Sequence, residues 1–252
     1  MSVDRPLVTV VTASFRALED LRQTVESVAA QGLDCVEHVV IDGGSDDGTR
    51  EYLQSCDNVR WVSEPDEGIA DALNKGVAMA RGEWIIVLQA GDLFFDDTTL
   101  ERAMRHLGEG YEIVSFDVIL QEADSERLLR AKGFGTTFSF FMSMPHQGAF
   151  CRRDLLERCG GFDPTCAVAL DYDFYFRARE AGVGVRVVNE PLSLMPVGGI
   201  STRTDWPSVR RRLAEARKLH FRYARNAAET AIYAAFWTLY LPYKWFRMNL
   251  AR

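Results

Sequence analysis

The feature that most constrains the possible fold is the regular alternation of two hydrophobic patterns along the sequence. Short runs rich in Val and Ile, with the composition of buried strands, alternate with segments whose apolar residues recur every three to four positions, as in amphipathic helices. The strand-like runs are 7–13, 36–41, 59–62, 84–88 and 113–120, and the helical segments between them are 18–31, 45–54, 68–80 and 97–107. This alternation predicts an α/β fold, with a doubly wound, mainly parallel sheet flanked by helices.

Polar segments follow the first four strand-like runs, at residues 12–15, 42–45, 63–68 and 89–92. Ligands of such sheets bind beyond the carboxyl ends of the strands, so these segments predict a ligand site. Each one alone fits a plain turn as well as a site. In the segment 42–45, two glycines would let the backbone approach a ligand, and Asp42 could form a hydrogen bond to a base or ribose. As a plain turn, the same segment would let Ser45 cap a helix that runs to residue 54.

Other polar residues also have both a functional and a structural interpretation. Asp71 and Lys75 lie four apart on one helical face, so they could sit near a nucleotide or form a surface ion pair. Asp92 could hold a divalent cation against a diphosphate or be a solvated turn residue. Asp171, at a predicted helix start, could be a general base or complement the helix dipole. His146 could be a catalyst or a hydrogen-bonded structural residue.

The cysteines and the N-terminus bear on the compartment. The chain has five cysteines, an odd number, with no CxxC pair, which predicts free thiols in a reducing environment. The first six residues carry both an acidic and a basic side chain and run directly into a strand-like stretch, which is not a secretory pattern. We therefore expect a cytoplasmic protein whose 252 residues form one large domain and an appendage.

The appendage is distinguished by its charge. Residues 203–252 hold eleven Lys/Arg and three Asp/Glu, whereas residues 1–202 hold 18 and 33, so a basic tail follows an acidic body. The tail is also aromatic, and its apolar stretch 231–241 is too short to span a bilayer and is interrupted at Pro242. We expect it to lie on an anionic membrane surface, with a dimer-forming or core-packing helix pair as the alternative. Nucleic acid fits the aromatic, apolar composition less well.

The order of the motifs along the chain carries more information than any one of them. The chain reads TVVTASF, VVIDGGSDDGT, SEPDEGIADALNKGVAMARGEWIIVLQAGD, PHQGAFCRRDLL, GGFD, LDYDFYFR and GGIS. This series resembles the family 2 glycosyltransferases, which have the GT-A fold, and is most similar to the bacterial branch that builds cell-envelope polysaccharides and glycolipids. The resemblance covers about residues 6–202 and implies a GT-A domain at 1–202 followed by the helical tail at 203–252.

The resemblance also implies roles for particular residues. Asp171 matches the catalytic base, Asp92 matches the last carboxylate of the metal motif, and His146 and Gln147 match a segment on the acceptor side. The metal motif is reduced here to Ala90-Gly91-Asp92, with one carboxylate. The residues expected to bind the donor nucleotide are Thr12, Ala13, Ser14, Phe15, Asp42, Glu64, Asp66, Asp71, Lys75, Ala90 and Gly91.

The implied activity is an inverting transfer, of the hexosyltransferase type, from a nucleoside-diphosphate sugar to a hydroxyl of a lipid-linked or polysaccharide acceptor. A divalent cation, Mn²⁺ or Mg²⁺, would assist at Asp92. A catalytically weak nucleotide-sugar-binding partner subunit is the alternative, because the metal motif is thin. A nucleotidyltransferase is a third possibility, but its usual glycine-rich N-terminal loop is missing, since residues 12–18 contain no glycine.

Overall fold

The centre of the sheet is formed by the most uniformly apolar run of the sequence. In the computed structural model, which describes residues 6–122, 125–199 and 202–250, strand β1 (Val8–Ser14) is buried along its whole length. It lies parallel to β2 (Val36–Asp42), with β3 (Val59–Ser63) beyond β2 and β4 (Trp84–Val87) on the other side of β1. The α/β fold and the parallel arrangement of these strands are confirmed.

The crossover helices bury the stripes that the sequence predicts. They are α1 (Leu18–Ala29), α2 (Thr49–Gln54) and α3 (Ile69–Met79). The predicted cap at Ser45 is wrong, because α2 begins only after Gly48, whose φ is 92°. The Ser45 hydroxyl instead donates to the buried carboxylate of Asp42. Asp47 accepts from the Thr49 backbone N–H at 3.2 Å and so satisfies the first turn of the helix.

The second half of the sheet is mixed. Its elements are β5 (Leu93–Phe94), α4 (Thr99–Met104), β6 (Ile113–Glu122), β7 (Ser125–Leu129), β8 (Ala149–Arg152), α5 (Arg153–Arg158), α6 (Leu170–Glu180) and β9 (Val185–Pro196). The strand order is β3-β2-β1-β4-β8-β6-β9-β5, and β7 pairs with β6. Strand β8 is antiparallel to both of its neighbours, so it joins the parallel half to the β6–β9 pair.

Strand β9 is 12 residues long. It pairs with β6 along most of its length, with register shifts around Asp117, and its far end pairs with β5. Several of its side chains are exposed, so its local pattern resembles a loop after residue 188. Pairing across the sheet, which local hydrophobicity does not report, sets its length.

The core follows the two halves of the sheet. One cluster of buried residues joins β1, β4, β6, β8 and β9 to α1 and α4, and includes Trp84, Phe116 and Phe150. A second cluster packs α1 and α2 on β2 and β3. The aromatic segment 133–146 is attached to α6 through Phe138, whose carbonyl accepts from the Tyr172 hydroxyl at 2.5 Å.

The chain divides into two compact units, Met1–Val197 and Gly198–Arg252. The second contains α7 (Trp206–Arg222) and α8 (Ala227–Leu250). Helix α7 is capped by Asp205, which accepts from the Ser208 N–H at 3.0 Å. The two helices meet at the buried His220, which stacks on Tyr233 at 4.7 Å and accepts from the Trp237 indole N–H at 3.0 Å.

The predicted interruption at Pro242 is wrong, because α8 continues through this residue. Proline removes one helical hydrogen bond, but it ends a helix only where other contacts do not hold the next turn. Here the Tyr240 ring lies 4.9 Å from Phe236 and 6.2 Å from Tyr243, so aromatic contacts run across the proline. Within the described residues, no helix combines the length and the apolar character that crossing a bilayer requires.

Candidate active site

The parallel strands bring the predicted polar segments to one edge of the sheet. Ser14, Asp42 and Ser63 lie side by side in register at the ends of β1, β2 and β3. The end of β4 lies on the other side of β1, where the Leu88 N–H donates to the Val11 carbonyl at 3.1 Å. Four segments that are separate in sequence therefore border one edge, as the rule for parallel sheets predicts.

Asp42 is held rigidly at this edge. Its side chain is fully buried, and one carboxylate oxygen accepts from the Ser45 N–H at 3.0 Å and from the Ser63 hydroxyl at 2.7 Å. The other oxygen accepts from the Ser45 hydroxyl. A buried carboxylate needs such donors, and they fix its orientation. Ser63 lies in the predicted segment 63–68, but its bond to Asp42 was not predicted, and Ser45 was given a different role.

An aromatic ring and a carboxylate lie on either side of Gly43. A methyl group added at this glycine would come within 2.7 Å of the Asp66 carboxylate and 3.1 Å of the Phe15 ring. Phe15 is 58% exposed, and the Arg16 guanidinium lies 5.2 Å from the centroid of its ring. An exposed ring beside a carboxylate can stack on a planar base and accept hydrogen bonds from its edge.

The other residues expected on β1 lie behind this surface. The Thr12 side chain is buried and its hydroxyl is hydrogen-bonded to the His38 Nε2 at 2.9 Å, so it does not face a ligand. Ala13 is almost fully buried, and its carbonyl accepts from the Ala90 N–H. The Ser14 hydroxyl is buried and has no protein partner within the described ranges.

The acidic segment after β3 is tied to α3 through one lysine. The Lys75 ammonium lies 2.9 Å from the Glu64 carboxylate and 3.2 Å from that of Asp71. Hydrogen bonds to Glu64 and Asp71 raise the pKa of Lys75. The pKa of Asp71 is lowered, chiefly by the Glu67 N–H and then by Lys75. The ion-pair interpretation is therefore confirmed, and the position of both residues near a nucleotide stays a prediction.

The loop after β4 is attached to α1. The Gly91 N–H lies 2.9 Å from the Thr24 hydroxyl and 3.2 Å from the Asp20 carbonyl, and Gly91 has a φ of 98°. The Ala90 N–H donates to the Ala13 carbonyl at 3.4 Å. Thr24, which the sequence analysis did not single out, is fully buried and positions this loop.

Asp92 is almost fully buried, and its pKa is shifted strongly from the ordinary value of an aspartate. Burial raises its pKa to about 6, although His146, the Gln89 N–H at 2.9 Å and Gln147 act in the opposite direction. In the part of the chain that the structure describes, neither Lys nor Arg forms an ion pair with it. A buried carboxylate of this kind fits a divalent cation, because the cation would stabilise the charged form that burial disfavours.

Asp171 and His146 are in direct contact. The His146 Nδ1 lies 3.2 Å from the Asp171 carboxylate, which also accepts from the Tyr172 N–H at 2.7 Å. Burial lowers the pKa of His146, but the hydrogen bond to Asp171 and the charges of Asp171 and Asp92 outweigh it and raise this pKa. The sequence placed His146 on the acceptor side and did not foresee its bond to Asp171.

A small cavity lies beside this pair. It has a volume of about 20 Å³ and is lined by His146, Asp171 and Tyr175 among apolar side chains. This is enough room for one water molecule. The His146 Nε2 atom is also buried, and it has no hydrogen-bond partner in the described ranges.

Gln147 joins this region to β9. Its side-chain amide donates to the Met195 sulfur at 2.9 Å, and its backbone carbonyl accepts from the Ser193 hydroxyl at 2.8 Å. Asn74 has a similar structural role, because it bonds both the N–H and the carbonyl of Phe162, at 2.7 and 2.8 Å. The sequence analysis missed this link between α3 and the GGFD segment, since nothing local marks it.

A cluster of two aspartates and one cysteine away from this edge has the spacing of metal ligands. The donor atoms of Asp163, Cys166 and Asp173 all lie within 4.8 Å of one another. However, Asp173 is paired with Arg177 at 2.7 Å, and Asp163 accepts from Thr165 in a local turn. These contacts explain both carboxylates without an ion. All five cysteines are free thiols, in line with the absence of a disulfide framework in the sequence.

Comparison with known proteins agrees with this geometry. The model of "Glycosyl transferase family 2" matches residues 9–168. An uncharacterised glycosyltransferase of Mycobacterium tuberculosis strain H37Rv is 33% identical over 239 residues, which cover 86% of each chain. A PGL/p-HBAD biosynthesis glycosyltransferase of Mycobacterium bovis strain BCG is 28% identical over 187 residues, covering 68% of this chain and 69% of the relative.

The fold also has solved counterparts. The mannosyltransferase PcManGT of Pyrobaculum calidifontis, solved with GDP-Man and Mn²⁺, superposes with a TM-score of 0.69 at 22% identity, over 98% of this chain and 74% of its own. The sheet and its polar edge therefore define a glycosyltransferase of the GT-A fold. The chain belongs to glycosyl transferase family 2, as the order of its motifs indicated.

Proposed function

We propose that the protein is an inverting glycosyltransferase that moves a hexosyl group from a nucleoside-diphosphate sugar to a hydroxyl of a lipid-linked or polysaccharide acceptor in envelope glycan synthesis. One observation carries this proposal. Two aspartates that interact with the same partly buried histidine, Asp92 and Asp171, belong to the sheet unit whose strand edge exposes Phe15 and holds the buried Asp42. A site for a leaving diphosphate and a base thus occur in one unit of the fold.

The donor nucleotide is proposed to bind at the ends of β1 and β2. The exposed Phe15 ring would stack on the base, and Asp66 would accept hydrogen bonds from its edge. Asp42, fully buried and held by Ser45 and Ser63, would position the base or ribose indirectly, by fixing the backbone of residues 43–45 beside it. A nucleoside-diphosphate-sugar ligand is supported by the GDP-Man bound to the archaeal structural neighbour.

The cation is proposed to be held by Asp92, together with oxygens of the donor diphosphate. A divalent ion there supplies charge neutralisation for the leaving diphosphate. The protein contributes Asp92 as a buried carboxylate whose backbone bond to Gln89 fixes its orientation. Since the motif offers one carboxylate, we expect metal affinity to be low in the absence of the donor.

The reaction requires a base at the acceptor. The acceptor oxygen attacks the anomeric carbon, the bond from that carbon to the diphosphate oxygen breaks, and the nucleoside diphosphate departs with the electron pair. Asp171 takes the proton of the acceptor hydroxyl. The His146 N–H and the Tyr172 N–H hold the Asp171 carboxylate in place, and His146 and Gln147 border the acceptor side.

The helical tail is proposed to hold the enzyme on the inner face of the plasma membrane. Helix α8 exposes large apolar side chains beyond its contact with α7: Leu239, Tyr243, Trp245, Phe246 and Leu250 are all at least half exposed. Together with the basic residues of α7 and α8, they suit an anionic lipid interface. This places a cytoplasmic active domain near lipid-linked acceptors, with the boundary between domain and tail near residue 202.

Thermal unfolding against a panel of nucleoside diphosphates and their sugars tests the donor site. A ligand at a hundred times its Kd stabilises the fold by about 2.7 kcal/mol, which raises the unfolding midpoint measurably. We expect one nucleotide class to do so, and more strongly with Mn²⁺ or Mg²⁺ than with EDTA. A shift that survives EDTA would remove the cation from the proposal.

Transfer assays with the identified donor test the base. Asp171→Asn should lower kcat at least a hundredfold with donor affinity unchanged, while the surface control Asp154→Asn should keep wild-type turnover. Near-normal turnover of Asp171→Asn would show that another group takes the proton. Donor binding without hydrolysis or transfer would favour a partner subunit, and pyrophosphate release from a nucleoside triphosphate would favour a nucleotidyltransferase.

A further inference from the structure

A cleft in the helical unit combines cationic and apolar side chains. It has a volume of about 870 Å³ and runs along one face of α7 to Leu241 of α8. Trp206, Leu213 and Phe221 provide apolar surface on α7, and these residues span fifteen positions, or about 22 Å of helix. A cleft of this length suits a hydrocarbon chain better than a compact ligand.

Four cationic side chains line the cleft, and three of them form no ion pair within the described residues. These three are Arg210, Arg217 and Lys218. The nearest aromatic contact of Arg217 is the Phe221 ring at 5.8 Å. Three positive charges along one wall favour a polyanionic group, and phosphate is the commonest such group on a membrane lipid.

The acidic residues of this helical unit are engaged elsewhere. Asp205 caps α7 through the Ser208 N–H, and Glu229 is paired with Arg225. Glu215 lies 3.8 Å from Arg211, outside the cleft. The charge of the cleft is therefore complementary to an external anion.

From this arrangement we infer that the cleft binds one membrane lipid, with its phosphate headgroup on Arg210, Arg217 and Lys218 and its hydrocarbon chain along Trp206, Leu213, Phe221 and Leu241. This inference rests on the proposal that the tail meets an anionic lipid surface, and deepens it from general attraction to a defined site. The exposed aromatic residues of α8, Tyr243, Trp245 and Phe246, would lie at the interface from which the lipid enters.

The test fills the cleft without changing charge. Ala214 lines the cleft, whereas Ala235 is exposed on α8 and is not among its lining residues. Full-length wild type, Ala214→Trp and the matched control Ala235→Trp are titrated with phosphatidylcholine vesicles that contain 20% phosphatidic acid, at 0.5 M NaCl. At this salt the Debye length is about 4 Å, so general surface attraction is strongly screened.

We expect Ala214→Trp to weaken vesicle binding at least tenfold and Ala235→Trp to stay within threefold of wild type. A second pair keeps the cleft open: Arg210→Gln with Lys218→Gln should weaken binding more than Arg211→Gln with Lys244→Gln, although both remove two charges. Far-ultraviolet circular dichroism and the nucleotide-induced thermal shift show whether each variant is folded and whether the donor site is intact.

The outcomes separate this inference from the proposed function. Equal binding by Ala214→Trp and Ala235→Trp would overturn the cleft while leaving membrane attachment in place. Wild type that ignores all vesicles but keeps its nucleotide shift would overturn both the cleft and the membrane role of the tail. Wild type that binds inorganic phosphate at low millimolar concentration but does not bind the phosphatidic acid vesicles would show that the cleft recognises free phosphate and not a lipid.

Discussion

His38 provides a quantitative test of how the strand edge is built. It lies in the middle of β2 and is 5% exposed, and its Nε2 is hydrogen-bonded to the Thr12 hydroxyl. Burial lowers its pKa from 6.5 to about 4. The unfolded chain therefore binds a proton between these two values that the folded chain does not, so the stability that His38 contributes is present above pH 6.5 and is lost as the pH falls toward 4.

The magnitude follows from the shift. Between pH 7.5 and pH 5 the unfolded state gains most of a proton, and each unit below 6.5 costs about 1.4 kcal/mol, so the loss is about 2 kcal/mol. Asp92 has the opposite slope, because its raised pKa of about 6 gives stability at low pH that is lost as the pH rises from 3.8 to 6. The pH ranges of these two opposite contributions overlap, so the pH dependence of wild-type stability alone would hide the contribution of His38.

The appropriate perturbation is His38→Gln, which keeps an amide near the position of Nε2 for the bond to Thr12 but does not titrate. Urea unfolding of both proteins is followed by Trp fluorescence from pH 7.5 to 5. We expect wild type to lose about 2 kcal/mol relative to the variant over this range. Two parallel stability curves would mean that water reaches His38 and would refute the argument from burial.

Three further changes test other parts of the site. Asn74→Ala removes both hydrogen bonds to Phe162 and should lower the free energy of unfolding by about 2 kcal/mol in urea titrations at pH 7.5. Gly43→Ala places a methyl group 2.7 Å from the Asp66 carboxylate, so calorimetry should show at least tenfold weaker nucleotide binding. Asp92→Asn removes a charge that burial disfavours and should abolish transfer. In urea titrations at pH 7.5 without metal, this variant should be about 2 kcal/mol more stable than wild type. A loss of stability would contradict the burial argument.

The sequence by itself determined the class of fold and its polar edge. The β-branched runs that form β1 to β4 are mostly apolar along their length, because a strand covered on both faces must be apolar throughout. Glycines and aspartates after these runs marked the edge, since parallel strands end together. Asp42 and Asp92 were placed at this edge in this way, the role of Phe15 was implied only by the resemblance, and the order of the motifs identified the family.

Only the tertiary structure decided which side chains meet. The bond of His146 to Asp171 and the link from Asn74 to Phe162 join residues 25 and 88 positions apart, and no local pattern reports such pairs. The length of β9 and the continuation of α8 through Pro242 were also set by contacts with other elements. Local periodicity records which face of an element is buried, but not the partner that buries it, and the chemistry of this site depends on the partners.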